Sequence, residues 1–201
     1  MTKLNKTPTN RVARAISLVL HPLFFGLPVI LWLSAVENEP FDLNFIKATA
    51  QMVMILTILP ALFSTLLMKM GVTESFFITR RRHRIYFFPF LLVCVVFAVA
   101  VMRLYGYPER ILNLFIAVWV VFLFSGFVTI RHKLSLHCVG IAALAAGSIA
   151  IAGPRGFVVL AFLPVVAWAR VAAGEHTTRE VAVGSAIGFG LTYMAMRLVL
   201  Q

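Results

Sequence analysis

Long apolar runs alternate along this chain with short polar, mostly basic segments. The runs cover about residues 15–36, 45–70, 85–101, 111–130, 138–152, 157–169 and 181–200. A helix needs about 20 apolar residues to cross a bilayer core of about 30 Å. The pattern therefore predicts an all-α, polytopic transmembrane helical bundle of about seven spans, or six if one run does not cross. It forms a single integral membrane domain, residues 1–201, whose first 13 residues make a short basic tail carrying Lys3, Lys6 and Arg11. The first run is longer than the core of a cleavable signal peptide and lacks a small-x-small site after it, so it reads as a retained helix. His21-Pro22 and Pro28 should kink that helix, which a bilayer tolerates where neighbouring helices cover the freed carbonyls. His21 itself reads as a packing or hydrogen-bonding residue.

Composition agrees with this pattern. The 201 residues are 61% hydrophobic and 12% charged, with a mean hydropathy of +0.96, which excludes an ordinary soluble globule. The net charge of +11 sits in short clusters between apolar runs rather than on a separable polar domain. Anionic lipid head groups or phosphate are thus better partners than nucleic acid. Cys94 and Cys138 both fall inside apolar runs, so neither a disulfide framework nor a CxxC zinc site is supported.

Three polar clusters interrupt the apolar pattern. The first, Thr79-Arg-Arg-Arg-His-Arg84, holds four Arg in five positions. A stop signal at a membrane boundary accounts for the charge, but not for the exclusive use of Arg, whose planar fork grips phosphate at two points. The second, Arg131-His-Lys-Leu-Ser-Leu-His137, opens into a run of Ala, Gly and Ser from Cys138 to Ala152. Small residues let helices approach closely and place this fifth helix at the centre of the bundle. Ser135 reads as its N-cap, leaving His137 in the first turn beside the positive end of the dipole, where anions bind readily. The third, Arg170 to Glu180, crowds one His, two Arg and two carboxylates into a chain with only seven acids. His176 and Glu180 lie four residues apart and share a face if the last helix starts there, so the carboxylate can orient the ring. With seven spans, all three clusters emerge at one membrane face. Gly184 and Gly188 in the last helix mark close packing within the monomer.

Together the three clusters resemble the three-part signature of the type 2 phosphatidic acid phosphatase family, which includes vanadium haloperoxidases. Arg170, His176 and Glu180 are similar to its Arg-x5-His-x3-Asp motif with Glu for Asp, and Ser135-Leu-His137 to its Ser-x-His motif. Arg81 and Arg84 resemble the Thr-Asp-Arg-x-x-Arg run of small membrane relatives, as does His21-Pro22-Leu23. The resemblance implies a metal-independent, cofactor-free lipid phosphate phosphatase acting through a phosphohistidine. His176 would be its nucleophile, Glu180 the orienting acid and His137 the general acid. Arg81, Arg84, Ser135 and Arg170 would bind the phosphate. A catalytically silent relative would share the Arg clamp without needing His176, and a small membrane transporter would need neither. A di-iron hydroxylase needs more His than the five present.

The resemblance and the charge pattern imply a multi-pass protein of the bacterial inner membrane with a lipid phosphate substrate. Most of the 18 Lys and Arg residues fall on the cluster side, which by the positive-inside rule faces the cytoplasm.

Overall fold

A computed structural model describes residues 8–37, 42–73 and 84–200. Among these residues the chain is all-helical with no strand. The helices are α1 (Pro8–Val19), α2 (Pro22–Val36), α3 (Leu43–Val53), α4 (Leu59–Lys69), α5 (Arg84–Leu104), α6 (Glu109–Arg131), α7 (Leu136–Ala152), α8 (Phe157–Leu160), α9 (Phe162–Ala172) and α10 (Thr178–Val199). A π turn, Met54–Ile58, joins α3 to α4, and a 3-10 turn, Gly153–Gly156, joins α7 to α8.

Five helical stretches are long and apolar enough to cross a membrane: Leu43–Lys69, Tyr86–Leu104, Glu109–Thr129, Leu136–Leu160 and Thr178–Val199. A sixth exists if Arg11–Val19 and Phe24–Val36, bent by 45° at the His21-Pro22 break, count as one. This is a multi-pass integral membrane protein whose lipid-facing surface carries exposed side chains such as Val96, Phe97, Phe124 and Phe127.

The seventh span expected from residues 157–169 is a short return rather than a full-length apolar helix. Its main helix, α9, has 11 residues and a length of about 16 Å, roughly half the hydrocarbon thickness. Nor is Leu136–Leu160 straight. Gly153 adopts φ 58° and ψ −134°, a conformation that L side chains avoid. At Gly156 an added Cβ would meet Ile149 N at 2.4 Å, so the chain has doubled back onto α7. This hairpin returns the end of α9 to the level at which α7 began.

As its small residues predict, α7 is the centre of the bundle: every residue from Cys138 to Ser148 is buried. Helix α10 lies against it at backbone distance, since a Cβ on Gly188 would sit 2.3 Å from the Val139 carbonyl oxygen. The two helices start side by side, with Ser135 N donating to the Glu180 carbonyl at 3.4 Å.

The expected polar tail is shorter than read from composition. Residues 8–13 already belong to α1, and Ala13, Ile16, Ser17 and Leu20 form an inward stripe at helical spacing. Ala13 packs against Ala169 and Ala173, which binds α1 to the end of α9.

Candidate functional site

The loop between α9 and α10 is shaped around one carbonyl. Glu175 N and His176 N both donate to the Arg170 carbonyl oxygen at 3.2 Å, and Gly174, at φ 72°, makes the reversal possible. Thr177 then caps α10: its side chain accepts from Glu180 N while Glu180 reaches back to Thr177 N, a capping box. Helix α10 therefore begins at Thr178, two residues after His176, and the expected pairing of His176 with Glu180 forms from just outside the helix.

That pairing is tight. His176 Nδ1 lies 2.9 Å from Glu180 Oε2. The same oxygen accepts from Thr177 N at 3.2 Å and faces Lys133 Nζ at 3.3 Å. A carboxylate only accepts, so Nδ1 carries the proton and Nε2 keeps its lone pair. Burial holds the His176 pKa below its usual value of 6.5, and the charges of Arg170 and Lys133 push the same way, against the hydrogen bond that the ring donates to Glu180. At neutral pH the ring is a neutral base with a fixed tautomer.

Arg170 points into the protein and is 8% exposed. Its Nη2 pairs with Glu175, whose side chain is 45% exposed, while Nε is buried without a hydrogen-bond partner. A buried donor left in this state costs free energy that an anion would recover.

His137, the second residue of α7, completes the cluster from the other side. One ring N–H is hydrogen-bonded to the Ser17 backbone, and Arg170 lies close enough for its charge to act on the ring. Its ring stands edge-on to His21, with centroids 4.5 Å apart at 83°. Four elements thus converge on one spot: the α1–α2 break, the start of α7, the end of α9 and the α9–α10 loop.

Above this buried group lies an open recess of about 600 Å³. Arg131, His132, Lys133 and Arg179 line it, and Glu180 is its only acid among the described residues. Glu180 therefore stands between the recess and the partly buried His176.

Two of the three polar clusters meet as expected. Of the first cluster, Arg81 lies outside the described residues; Arg84 is the first residue of α5, and its side chain is also outside them. Ser135 occupies the N-cap position of α7 but makes no side-chain cap; its buried hydroxyl instead donates to Cys138 Sγ at 3.3 Å. That correction has a local cause. The thiol sits one turn on as an acceptor within reach of the hydroxyl, and the rotamer that donates to it makes no cap.

Three participants escaped the sequence reading. Lys133 and Arg179 lay inside the clusters but outside the motif spacing, and Glu175, adjacent to His176, is the acid that engages Arg170. His21 was read as packing or hydrogen bonding; its ring contact is with another site histidine rather than with apolar side chains alone. Among the described residues, no group of three His, Cys, Asp or Glu could hold a metal ion. No family model, curated protein or solved structure matches this chain.

Proposed function

We propose that this protein is a membrane lipid phosphate phosphatase that hydrolyses a phosphomonoester or pyrophosphate of a lipid through a phosphohistidine. The observation that carries this reading is the buried Arg170, with Nε unpartnered, beside a neutral His176 whose tautomer is fixed by Glu180. A cation held out of water at an energetic cost, next to an oriented nucleophile, suits phosphoryl transfer, which depends on positioning and on stabilising the equatorial oxygens.

In the proposed reaction the substrate phosphate enters the cationic recess and takes the place of Glu175 on Arg170. His176 Nε2 attacks phosphorus, and the bond to the leaving oxygen breaks. His137 gives that oxygen a proton from the ring nitrogen not bonded to Ser17; the doubly protonated ring this needs forms only with the phosphate's negative charge beside it. Water then attacks the phosphohistidine, His137 takes up the proton, and inorganic phosphate leaves. Arg81 and Arg84 complete the phosphate clamp in this proposal, and no metal takes part.

Phosphate release from a panel of lipid phosphates by detergent-purified protein, with and without chelator, tests the reading. Release that is insensitive to chelator and blocked by vanadate is the expected result. Release that requires a metal, or none from any lipid phosphate, contradicts it.

Glu175 favours a second reading, a catalytically silent protein that binds lipid phosphate, because it already engages the cation that catalysis needs free. The two part at His176→Ala, which spares binding in both and matters to turnover only in the first.

By charge distribution the site faces the cytoplasm of a bacterial inner membrane. Single cysteines at Thr7 and Asn38, in a background lacking Cys94 and Cys138, test this. With intact cells and an impermeant reagent, modification at Asn38 alone is expected; modification at Thr7 alone reverses the orientation.

A further inference from the structure

Below the histidine cluster the protein is not filled. A groove of about 290 Å³ runs between α2, the α3–α4 bend, α6 and α7. Its upper end touches the site directly. Pro22 follows His21, Gly140 lies one turn below His137, and both line the groove. An added Cβ on Gly140 would meet Pro22 Cβ at 2.6 Å, so α2 and α7 close tightly there and open below.

The walls are apolar, built from residues such as Leu27, Leu56, Leu114, Trp119 and Leu144, with Thr57 the only side-chain hydroxyl. One wall is the π turn, where Leu59 N reaches back five residues to the Met54 carbonyl. Such a turn widens a helix locally and is frequent at functional sites. Here it sets Leu56 and Thr57 along the groove. The volume lies near the lower bound of small-molecule sites, about 300 Å³, which suits one hydrocarbon chain better than a whole lipid.

We infer that the groove holds one hydrocarbon chain of the substrate while its phosphate occupies the Arg170–His176 site. The inference rests on the phosphatase reading and adds to it the substrate class: a lipid whose chain descends from its phosphate into the protein, rather than one presented only by its head group. Two features select this occupant. The groove lies within membrane-spanning segments, where hydrocarbon is the available ligand. It also ends at a cationic cluster, so the molecule that fits has an anionic head on an apolar chain.

Gly26 allows a direct test. It lines the groove, and an added Cβ there would meet nothing closer than Leu144 Cδ1 at 4.0 Å, so a larger side chain enters the groove without striking backbone. Trp119 serves as the reporter once Trp32→Phe and Trp168→Phe make it the only tryptophan. In a His176→Ala form that cannot consume the probe, phosphatidate with brominated chains should quench Trp119 at about a tenfold lower mole fraction than phosphatidylcholine with the same chains. Gly26→Leu should remove that preference and Gly26→Ala reduce it. Equal quenching by the two lipids would mean that bulk lipid fills the groove, and the inference fails. It fails equally if neither lipid quenches or if Gly26→Leu changes nothing.

The catalytic counterpart uses proteins with His176 intact. In them Gly26→Leu should lower the ratio of kcat/KM for long-chain over soluble short-chain phosphomonoesters. Phosphate release with an unchanged ratio overturns the groove and leaves the phosphatase standing. Selective quenching in a protein that releases no phosphate from any lipid does the reverse.

Discussion

The two ends of the bundle use polar residues in opposite ways. At the end formed by the α2–α3 and α5–α6 connections, several of the described polar groups are matched one to one. Glu37 pairs with Arg110 at 3.0 Å, Thr49 with Tyr107 at 2.9 Å, Gln51 with Tyr105 at 2.9 Å, and Asp42 caps α3 through Phe45 N at 2.7 Å. At the other end charges and rings are crowded without that balance. Arg170 is buried with Nε unpartnered, His21 and His137 meet edge to face, and the described lining of the recess holds several cations with one acid. The first end is organised for folding; the second keeps an excess of positive charge that folding alone would not select.

The largest effect should come from the proposed nucleophile. His176→Ala is expected to keep the protein folded and monodisperse in detergent while lowering phosphate release by about 10³-fold or more. Activity retained within a few fold would return the His176–Glu180 pair to the role of a helix start.

Next come the two arginines. Arg170→Lys keeps charge but loses the fork, so vanadate inhibition should weaken by about 10- to 100-fold. The same change at Arg110 should leave it unaltered. Stability reverses the order of interest. Arg170→Met should be neutral or stabilising by up to about 4 kcal/mol, because Glu175 is half-exposed and returns to water. Thermal unfolding that shows a large loss instead would make Arg170 a structural ion-pair residue and erase the contrast between the ends.

A smaller effect concerns pH. Since the folded pKa of His176 lies below 6.5, the neutral ring persists as pH falls through 6.5, and the acidic limb of activity should lie below that value. Folding follows the same sign: protonation is disfavoured in the native state, so stability is full above 6.5 and declines as pH falls below it. Glu180 opposes this shift through its hydrogen bond, so Glu180→Gln should move the limb further to acid as well as lower the plateau rate. A limb above 6.5 in the wild type, or one that moves to higher pH in the variant, contradicts this electrostatic account.

The smallest effect belongs to the balanced end. Arg110, whose side chain is 60% exposed, pairs in water, and Arg110→Met should change stability by no more than about 1 kcal/mol with activity intact. A loss of activity there would show that the two ends are coupled.

Much of this contrast was legible in the sequence. The central position of α7 follows from its small residues, and the His176–Glu180 pair from spacing alone. The meeting of residues 131–137 with 170–180 followed from counting runs, although by length and composition only five or six of the expected six or seven cross as full helices. Periodicity reports that a run is apolar, not that the chain reverses within it, and only the backbone at Gly153 reveals the hairpin. The Ser135 hydroxyl could be placed at the N-cap position, but its preference for Cys138 Sγ depends on side-chain geometry that no motif encodes. Glu175 was visible as an acid, yet its grip on Arg170 depends on the Gly174 turn. The groove left no signal in the sequence, because its walls come from four separate segments whose residues are individually ordinary membrane material.

The central claim is that His176 becomes covalently phosphorylated. Wild-type protein mixed with a lipid phosphate labelled in its phosphoryl group, quenched in base to preserve phosphohistidine and digested for mass spectrometry, should carry the label on His176. The label should be labile to acid and absent from His176→Ala. Sustained phosphate release with no label on His176, or with the label on another residue, would contradict the account.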